Sequence, residues 1–327
     1  MYFNETDRDT EYQTKLCGFI EYQYEIKIIN FNAHTRGWYG ETWKAETTDK
    51  DYFVKICYST ENKRNFAKCF RVLNYMRSRN IDYVLKPLAT KTGFDYCAYN
   101  DGILGVFDFV NGEHTENYPL ENLIEQLIGI YSLPPPSNVE QEEFDFGKIY
   151  ADYEERLYGL NKLNKYNDIC TLIKRNIVLL QEIRLRAQKY EAICKKETSK
   201  RCITSGDVGG NVIVNSGKMT IVDWDYIVLA PVERDLWFYA CKYEQIDFIN
   251  KIFKNHGFNY VLSENKLGYY ANSRFFYYIS EAIDCILFNP KSYNEVLDWF
   301  KNHFDRRGFE IGIIDQIEKH AAKRINN

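Results

Sequence analysis

The feature that most constrains the fold is a change in the pattern of apolar residues near Asn111 and Gly112. Before this point, short runs such as residues 52–56 are rich in β-branched and aromatic residues and are separated by turn formers, which is typical of strands. After it, apolar residues recur at spacings of three and four, as in residues 120–131, which is typical of amphipathic helices. Strands first and helices second predict an α+β fold, with an N-terminal antiparallel sheet lobe and a larger helical C-terminal lobe.

The individual elements follow from the same two patterns. Three consecutive prolines, residues 134–136, end one helical run, because proline cannot donate the helix hydrogen bond. Residues 203–227 interrupt the helical part with a compact loop-strand-loop-strand pattern. The predicted division is therefore a lobe of residues 1–110 and a lobe of residues 111–327. Helices are expected at residues 11–24, 62–79, 120–131 and 172–195, and strands around residues 26–31, 43–45, 52–56, 83–88 and 103–110.

Composition and charge exclude several classes of protein. An apolar content of 45% over 327 residues excludes general disorder. No apolar run is long enough to cross a bilayer, and the first residues lack the features of a signal peptide. Nine cysteines without C-x-x-C pairs fit a reducing compartment, and a net charge of −4 without a basic block gives no sign of nucleic-acid binding. We expect a cytoplasmic protein that binds neither nucleic acid nor membrane.

Residues 204–225 carry the candidate chemistry. Asp207 lies on a glycine-flanked loop before a short apolar strand, and a turn leads to a second strand that ends at Asp223. An antiparallel pair of this kind brings Asp207, Asn211 and Asp223 to one rim. One carboxylate can then accept the proton of an attacking hydroxyl while hard oxygen ligands hold Mg²⁺ against phosphates, as phosphoryl transfer requires. The alternative is an ordinary hairpin in which Asp and Asn serve as turn formers.

Residues upstream favour the chemical interpretation. Gly37 and Gly40 lie between two predicted strands, and Lys55 lies on the next strand. A glycine loop whose backbone covers phosphates, followed by a strand lysine that pairs with them, is the other half of a kinase site. Each feature alone is weak evidence, since Lys55 by itself would be read as a solvated strand lysine. Their order along the chain favours a phosphotransferase.

At this point the sequence resembles the aminoglycoside phosphotransferase and choline kinase family, which shares the protein-kinase-like two-lobed fold. The resemblance rests on the segment from Ile203 to Phe238 and is nearest to the spectinomycin phosphotransferase branch. The matching motifs are Ile-Val-Asp-Trp-Asp at residues 221–225 and Leu-Ala-Pro-Val-Glu-Arg-Asp-Leu-Trp at residues 229–237. It implies ATP or GTP as donor, Mg²⁺, and transfer of the terminal phosphoryl group to a hydroxyl of a small molecule.

The resemblance also implies roles for residues of the helical lobe, which would hold the catalytic groups and the acceptor. Asp207 matches the catalytic base, and Asn211 and Asp223 match the residues that bind the metal. Asp235, in the Glu-Arg-Asp run, matches a residue that braces the catalytic loop.

The lobe of residues 1–110 would bind the nucleotide by the same resemblance. Lys55 and the loop of Gly37 and Gly40 would contact the phosphates. A hinge that contains Asp108, Phe109 and Val110 would meet the purine through its backbone.

The chain departs from the family pattern at three points. The family usually has a histidine two residues before the base, and Ser205 stands there. Only three residues separate the base from Asn211, where four are usual. The strand lysine normally pairs with a helix glutamate, and Glu61 is the one glutamate in the helical region that follows Lys55. Glu61 is therefore the candidate partner of Lys55.

Three hypotheses about function remain open at this point. The first is an antibiotic-resistance kinase for an aminoglycoside or aminocyclitol, to which the 13 acidic residues between positions 101 and 156 would attract a cationic acceptor. The second is a metabolite kinase of the choline, homoserine or thiosugar type, for which an aromatic cage would suit a quaternary ammonium group. The third is a nucleotide-binding pseudokinase without turnover. A monomer is the expected state.

Overall fold

The computed structural model of the protein describes residues 9–34, 40–115, 117–137, 139–242, 245–288 and 290–304, together with 314, 315, 317 and 319. Helices and strands are numbered here in chain order. The helices are α1 (Thr10–Tyr24), α2 (Thr60–Ser78), α3 (Leu120–Tyr131), α4 (Phe146–Asn161), α5 (Asn167–Arg175), α6 (Ile177–Cys194), α7 (Glu233–Lys242), α8 (Ile246–Asn255), α9 (Glu264–Phe288) and α10 (Tyr293–Phe304). The strands are β1 (Asn30–Ala33), β2 (Gly40–Glu46), β3 (Asp51–Cys57), β4 (Pro87–Leu88), β5 (Tyr96–Tyr99), β6 (Gly102–Asp108), β7 (Glu113–His114), β8 (Cys202–Thr204), β9 (Val212–Asn215), β10 (Lys218–Ile221) and β11 (Val228–Ala230).

The chain forms two compact units whose boundaries differ from the predicted division. Unit 1 contains Met1–Glu140 and Ser205–Val228, and unit 2 contains Gln141–Thr204 and Leu229–Asn327. The segment of residues 205–228 therefore packs with the N-terminal sheet, although the sequence grouped it with the helices. The assignment of residues 1–110 to nucleotide binding and of residues 111–327 to catalysis and acceptor binding stays a prediction about function.

The main sheet of unit 1 confirms the expected fold class. Its strands run in the order β1-β2-β3-β6-β4, with β5 also paired to β6, and every pairing is antiparallel. Strand β5 was not predicted, because its residues 96–99 lack the apolar alternation on which the other predictions rest. The mixed α+β class with an N-terminal antiparallel sheet is as predicted.

Alternate residues of β3 serve opposite faces of this sheet. Val54 and Ile56 are fully buried in the core that α1 forms with one face. Lys55 belongs to the other face, which α2 covers. There Phe70 of α2 stacks on Phe107, with ring centroids 4.9 Å apart. The pleat thus places the side chain of Lys55 at the margin of an aromatic layer and away from the α1 core.

The predicted hairpin of residues 212–221 is present and belongs to a three-stranded sheet in the order β10-β9-β7. Hydrogen bonds attach it to the rest of unit 1. The amide of Ile221 donates to the carbonyl oxygen of Tyr83 at 2.9 Å, and Gln126 of α3 donates to the carbonyl oxygen of Met219 at 3.2 Å. The end of β10 is therefore held in place by residues far away in the sequence.

Unit 2 is built around α9, which packs against α4, α6 and α7. The prediction of one helix over residues 172–195 was wrong, because α5 ends at Arg175 and α6 begins at Ile177. The break lies at Asn176, whose backbone angles (φ −99°, ψ 16°) are not helical and whose side-chain amide donates to the carbonyl oxygen of Leu172 at 2.9 Å. Among the described residues, no helix is long and apolar enough to span a lipid bilayer.

Candidate active site

The side chain of Lys55 lies between two carboxylates. Its Nζ is 2.5 Å from Oδ2 of Asp225 and 3.1 Å from Oδ1 of Asp223. The ring of Phe66 lies on its other side, with the centroid 5.7 Å from Nζ. These partners are about 170 residues away in the chain, so the contact depends on packing of the hairpin against the sheet. We call Lys55, Asp223 and Asp225 the lysine cluster.

The backbone after β10 turns both carboxylates toward Lys55. Trp224, between them, is buried and its indole nitrogen donates to the carbonyl oxygen of Ile221 at 2.9 Å. Asp223 has a φ of 55°, in the left-handed region that aspartate tolerates better than most residues. Such strained backbone angles are often found at functional sites, where the surrounding structure holds them. A short, tightly bonded turn therefore presents two acidic groups on one side.

The two carboxylates differ in their access to solvent. The side chain of Asp223 is 47% exposed, whereas those of Asp225 and Lys55 are 16% and 14% exposed. A ligand from solution can therefore reach Asp223, while Asp225 is largely shielded.

The charges of the cluster do not cancel. Burial lowers the pKa of Lys55, but Asp223 and Asp225 outweigh this effect and raise it well above its usual value, so the ammonium stays charged. Burial raises the pKa of Asp225, while Lys55 opposes that shift and Asp223 adds to it. One cation faces two carboxylates, and such a surplus of negative charge favours a further cation.

Asn211 connects the loop of Asp207 to the same strand end. Its Nδ2 donates to the carbonyl oxygen of Asp207 at 2.6 Å, and its own carbonyl oxygen accepts from the amide of Val222 at 2.8 Å. The side chain of Asp207 is exposed. Gly206 directly before it has a φ of 86°, which only glycine adopts without strain. The three residues that separate Asp207 from Asn211 thus form a closed turn, which brings both residues next to Asp223.

Ser205 occupies the position where the sequence lacks the expected histidine. It is buried, and its hydroxyl donates to the carbonyl oxygen of Asp223 over 3.4 Å, a long hydrogen bond. The serine therefore links the loop of Asp207 to the backbone of the strained residue. These contacts link Lys55 to Asp223 directly, and Asp207 and Asn211 to the same strand end through the backbone, while the roles of the four residues stay predictions.

The glycine loop is only partly covered by the structure. Gly37 lies outside the described residues. Gly40 is the first residue of β2, and a Cβ there would lie 2.5 Å from the carbonyl oxygen of Ile56. Close approach of β2 to β3 is therefore one physical reason for this glycine, whatever its role toward phosphates.

The predicted hinge follows β6. The amide of Asp108 donates to the carbonyl oxygen of Lys86 at 2.9 Å, and that of Phe109 donates to the carbonyl oxygen of Asp51 at 3.0 Å. The carboxylate of Asp108 accepts from Lys50 at 2.6 Å. Two of the three expected purine contacts thus have amides that are already bonded within the sheet.

The predicted partner of Lys55 is Glu61, whereas the observed partners are Asp223 and Asp225. Glu61 lies in the first turn of α2, but its side chain lies outside the described part of the structure. Sequence reasoning overlooked Asp225 as a partner. The available signal was the spacing of Asp223 and Asp225 around a single large apolar residue, although it is the turn at Asp223 that directs both carboxylates to Lys55.

A second residue that sequence reasoning missed is Arg234, in unit 2. Its guanidinium donates to Oγ1 of Thr204 at 3.1 Å and to Oε1 of Glu142 at 3.1 Å. Thr204 directly precedes the loop of Asp207 in the chain, so Arg234 anchors the start of that loop. Asp235, expected to brace the loop, is buried beside it in α7, and its role stays a prediction.

Arg234 and its surroundings form a largely buried ionic group, which we call the arginine cluster: Glu142, Arg234, Tyr270 and Arg274. The hydroxyl of Tyr270 donates to Oε2 of Glu142 at 2.8 Å. Burial raises the pKa of Glu142, but Arg234 and Arg274 outweigh this effect, so the pKa is lowered overall. Glu142 is therefore a charged, fully engaged carboxylate.

Comparison with known proteins agrees with these features. Residues 30–253 match the model of the APH phosphotransferase enzyme family. A comparison with curated protein sequences finds no match. The solved structure of spectinomycin phosphotransferase APH(9)-Ia, in complex with ADP and spectinomycin, has a TM-score of 0.76 at 19% identity, over 94% of this chain and 98% of that one.

Two further solved structures are more distant. Macrolide 2'-phosphotransferase type I has a TM-score of 0.58 at 13% identity, over 90% of this chain and 97% of that one. Choline kinase LicA from Streptococcus pneumoniae has a TM-score of 0.53 at 12% identity, over 90% of this chain and 99% of that one. At such identities the likeness shows the fold, which is protein-kinase-like, as the sequence resemblance implied.

Proposed function

The chain belongs to the phosphotransferase enzyme family and is a kinase that phosphorylates an alcohol group, and we propose that it transfers the terminal phosphoryl group of ATP or GTP to an aminoglycoside or aminocyclitol. The lysine cluster carries this proposal, because a buried ammonium beside an accessible carboxylate is what binding of a metal-nucleotide complex requires. We further propose that the protein acts as a monomer in the cytoplasm, where it would confer antibiotic resistance.

The residues present fit Mg²⁺. Nucleotide-bound Mg²⁺ usually takes one or two carboxylates together with phosphate oxygens and water, so a large protein cluster is not needed. In keeping with this, the described residues contain no group of three or more His, Cys, Asp or Glu side chains placed to hold a metal. Asp223 and Asn211 would hold the ion, since Asn211 engages its Nδ2 with Asp207 and keeps its Oδ1 for a ligand. The ion would neutralise the charge of the phosphates.

In the proposed reaction Asp207 orients the acceptor hydroxyl and accepts its proton. The hydroxyl oxygen forms a bond to the terminal phosphorus as the bond from phosphorus to the bridging oxygen breaks, and the nucleoside diphosphate leaves. Lys55 contacts the phosphates of the donor. Most of the catalysis in such reactions comes from position and charge, so the rigid placement of these groups matters more than their intrinsic reactivity.

The purine would meet the hinge at Val110. The amides of Asp108 and Phe109 donate to carbonyl oxygens of Lys86 and Asp51, and the amide of Val110 is the proposed donor to the purine. The carbonyl oxygens of residues 108–110 would complete the contact. Gly37 and Gly40 are proposed to cover the phosphates.

The acceptor is proposed from the distribution of charge. The acidic residues between positions 101 and 156 favour a cationic molecule, but some of them are engaged within the protein. Glu142 pairs with Arg234, Glu140 with Arg64, and Asp108 with Lys50. The remaining carboxylates would attract an acceptor with several amines, such as an aminocyclitol.

The test is a phosphorylation screen with purified protein, Mg²⁺ and either ATP or GTP. Acceptors would be spectinomycin, a panel of aminoglycosides, choline, ethanolamine, homoserine and a thiosugar, with the phosphorylated product detected by mass spectrometry. We expect product from an aminocyclitol or aminoglycoside. Asp207→Asn should lower turnover by about 10²- to 10⁴-fold while nucleotide still binds.

The screen separates the alternatives. Product from choline or another metabolite alone would replace the antibiotic proposal with a metabolite kinase. A third result is also possible. If the protein binds nucleotide but forms no product and shows no hydrolysis that depends on Asp207, it is a pseudokinase.

A further inference from the structure

Lys55 has two acidic partners that are not equivalent. Asp225 is the nearer, at 2.5 Å, and its side chain is 16% exposed, whereas Asp223 is at 3.1 Å and is 47% exposed. If both carboxylates had the same role, a similar distance and exposure would be expected. The difference indicates that the two carboxylates of the lysine cluster have different roles.

The more exposed carboxylate is the one that a metal-nucleotide complex can engage. A metal held by Asp223 would compete with Lys55 for this carboxylate, so the contact at 3.1 Å is the one that would be given up. Lys55 remains largely buried, and a buried ammonium without a partner is costly. Asp225, shielded from solvent, is placed to retain it.

Both ends of the contact between Lys55 and Asp225 are fixed by the fold. Lys55 lies in the middle of β3, where it pairs with Thr42 of β2 and with Gly105 of β6. Asp225 follows Trp224, which is buried and hydrogen bonded to the backbone of Ile221. Neither residue has to order a flexible segment to reach the other, so the contact can hold the ammonium in one position.

The sequence offers one alternative. Glu61 is the only acidic residue of α2, the helix from which such a partner is expected, and it lies in the first turn of the helix. The carboxylate observed against Lys55 is instead supplied by the strand-end motif. The two candidates can be separated by experiment.

We propose that Asp225 is the positioning residue of Lys55, which holds the ammonium toward the phosphates of the donor while Asp223 binds the metal. This inference rests on the proposed function, because it requires a nucleotide whose phosphates Lys55 contacts. Asp225 acts through Lys55 and does not touch the reacting atoms.

The test measures binding of ATP and GTP to the full chain by titration calorimetry, in EDTA and in Mg²⁺, together with the Mg²⁺ activation constant and the KM and kcat of the reaction. Asp225→Asn should weaken nucleotide binding in EDTA by about tenfold, because Lys55 is no longer held in place. The Mg²⁺ activation constant should not change. Asp225→Glu should recover part of the affinity, and Asp82→Asn, a control at an exposed carboxylate of unit 1, should have no effect.

A second comparison excludes an indirect effect on folding. In a Lys55→Met background, Asp225→Asn should not weaken nucleotide binding further, since Asp225 acts only through the ammonium. The double variant also avoids a buried unpaired charge, so it should fold even if Asp225→Asn alone does not.

Three outcomes would overturn the inference. A raised Mg²⁺ activation constant with unchanged affinity in EDTA would make Asp225 a metal ligand. An equal loss in Glu61→Gln, with none in Asp225→Asn, would make Glu61 the partner. A further loss in the Lys55→Met background would show a direct contact of Asp225 with nucleotide. Failure of the unaltered protein to bind either nucleotide would instead contradict the proposed function itself.

Discussion

The lysine cluster of unit 1 and the arginine cluster of unit 2 are built from similar groups in opposite proportions. In the first, one ammonium faces two carboxylates, and one of these is about half exposed. In the second, Glu142 faces two guanidinium groups and a tyrosine hydroxyl, and the side chain of Arg234 is only 5% exposed. The first cluster has surplus negative charge that solvent can reach, while the second binds its one carboxylate from several sides.

The difference distinguishes a functional site from a cluster that only stabilises the fold, which we call a brace. A cluster that exchanges partners during a reaction needs an accessible group whose interactions are incomplete, whereas a brace needs each buried charge to be paired. By this criterion, substitutions in the lysine cluster should affect activity more than stability. Substitutions in the arginine cluster should do the reverse.

The largest expected effect is at Asp223. Asp223→Asn should reduce turnover by about 10³-fold, because the accessible carboxylate for the metal is lost. The free energy of unfolding, measured with urea, should change by less than about 1 kcal/mol, since Lys55 keeps Asp225 and Asp223 is half exposed. A large loss of stability would mean that the lysine cluster is a brace as well, and the comparison would fail.

The next effect is at Arg234. Arg234→Met should lower the free energy of unfolding by about 2 kcal/mol, because it leaves the partly buried Glu142 without its closest cation. The double variant Glu142→Gln, Arg234→Met should recover much of this loss. If the single variant unfolds at the same urea concentration as the unaltered protein, the arginine cluster is not a brace.

Arg234 should also influence the reaction through Thr204. Arg234→Lys keeps the charge but loses the planar guanidinium that donates to both Thr204 and Glu142. We expect kcat to fall by a larger factor than the KM for nucleotide changes. Asp207 would then be less well positioned, while nucleotide binding in unit 1 would be little affected. An equal change in both constants would argue against a role in positioning the loop.

The smallest expected effect concerns a third buried carboxylate, Glu281 of α9. Burial, together with Asp284, raises the pKa of Glu281 to about 8 from its usual 4.5. The folded state then holds a proton that the unfolded state releases, so stability should fall as pH rises between these two values and level off above the higher one. Glu281→Gln should remove this dependence and be more stable than the unaltered protein at alkaline pH.

Urea unfolding at a series of pH values checks this prediction. The side chain of Asp284 accepts from Arg156 of α4 at 2.7 Å, so the variant Asp284→Asn serves to separate the two carboxylates. A pH dependence of the unaltered protein that Glu281→Gln leaves in place would assign it to another group.

Local patterns were read correctly from the sequence. The helix at residues 120–131 is present with the predicted bounds, because its apolar periodicity and the prolines after it are both local signals. The hairpin that brings Asp207, Asn211 and Asp223 to one rim was also predictable, since a short turn between two apolar runs leaves few alternatives. The break at Asn176 was missed because the apolar pattern continues through it and does not reveal a change of backbone angles at a single residue.

By itself, the sequence determined the order of strands and helices, the loop of Asp207 and the strand end at Asp223, since each depends on residues a few positions apart. Only the tertiary structure decided that Lys55 meets Asp225 and that Arg234 anchors Thr204. Those partners are distant along the chain, and many carboxylates and hydroxyls could serve them equally well on chemical grounds. The choice depends on which groups the packing within each unit buries side by side, because a buried charge is tolerated only where its partner is already in place.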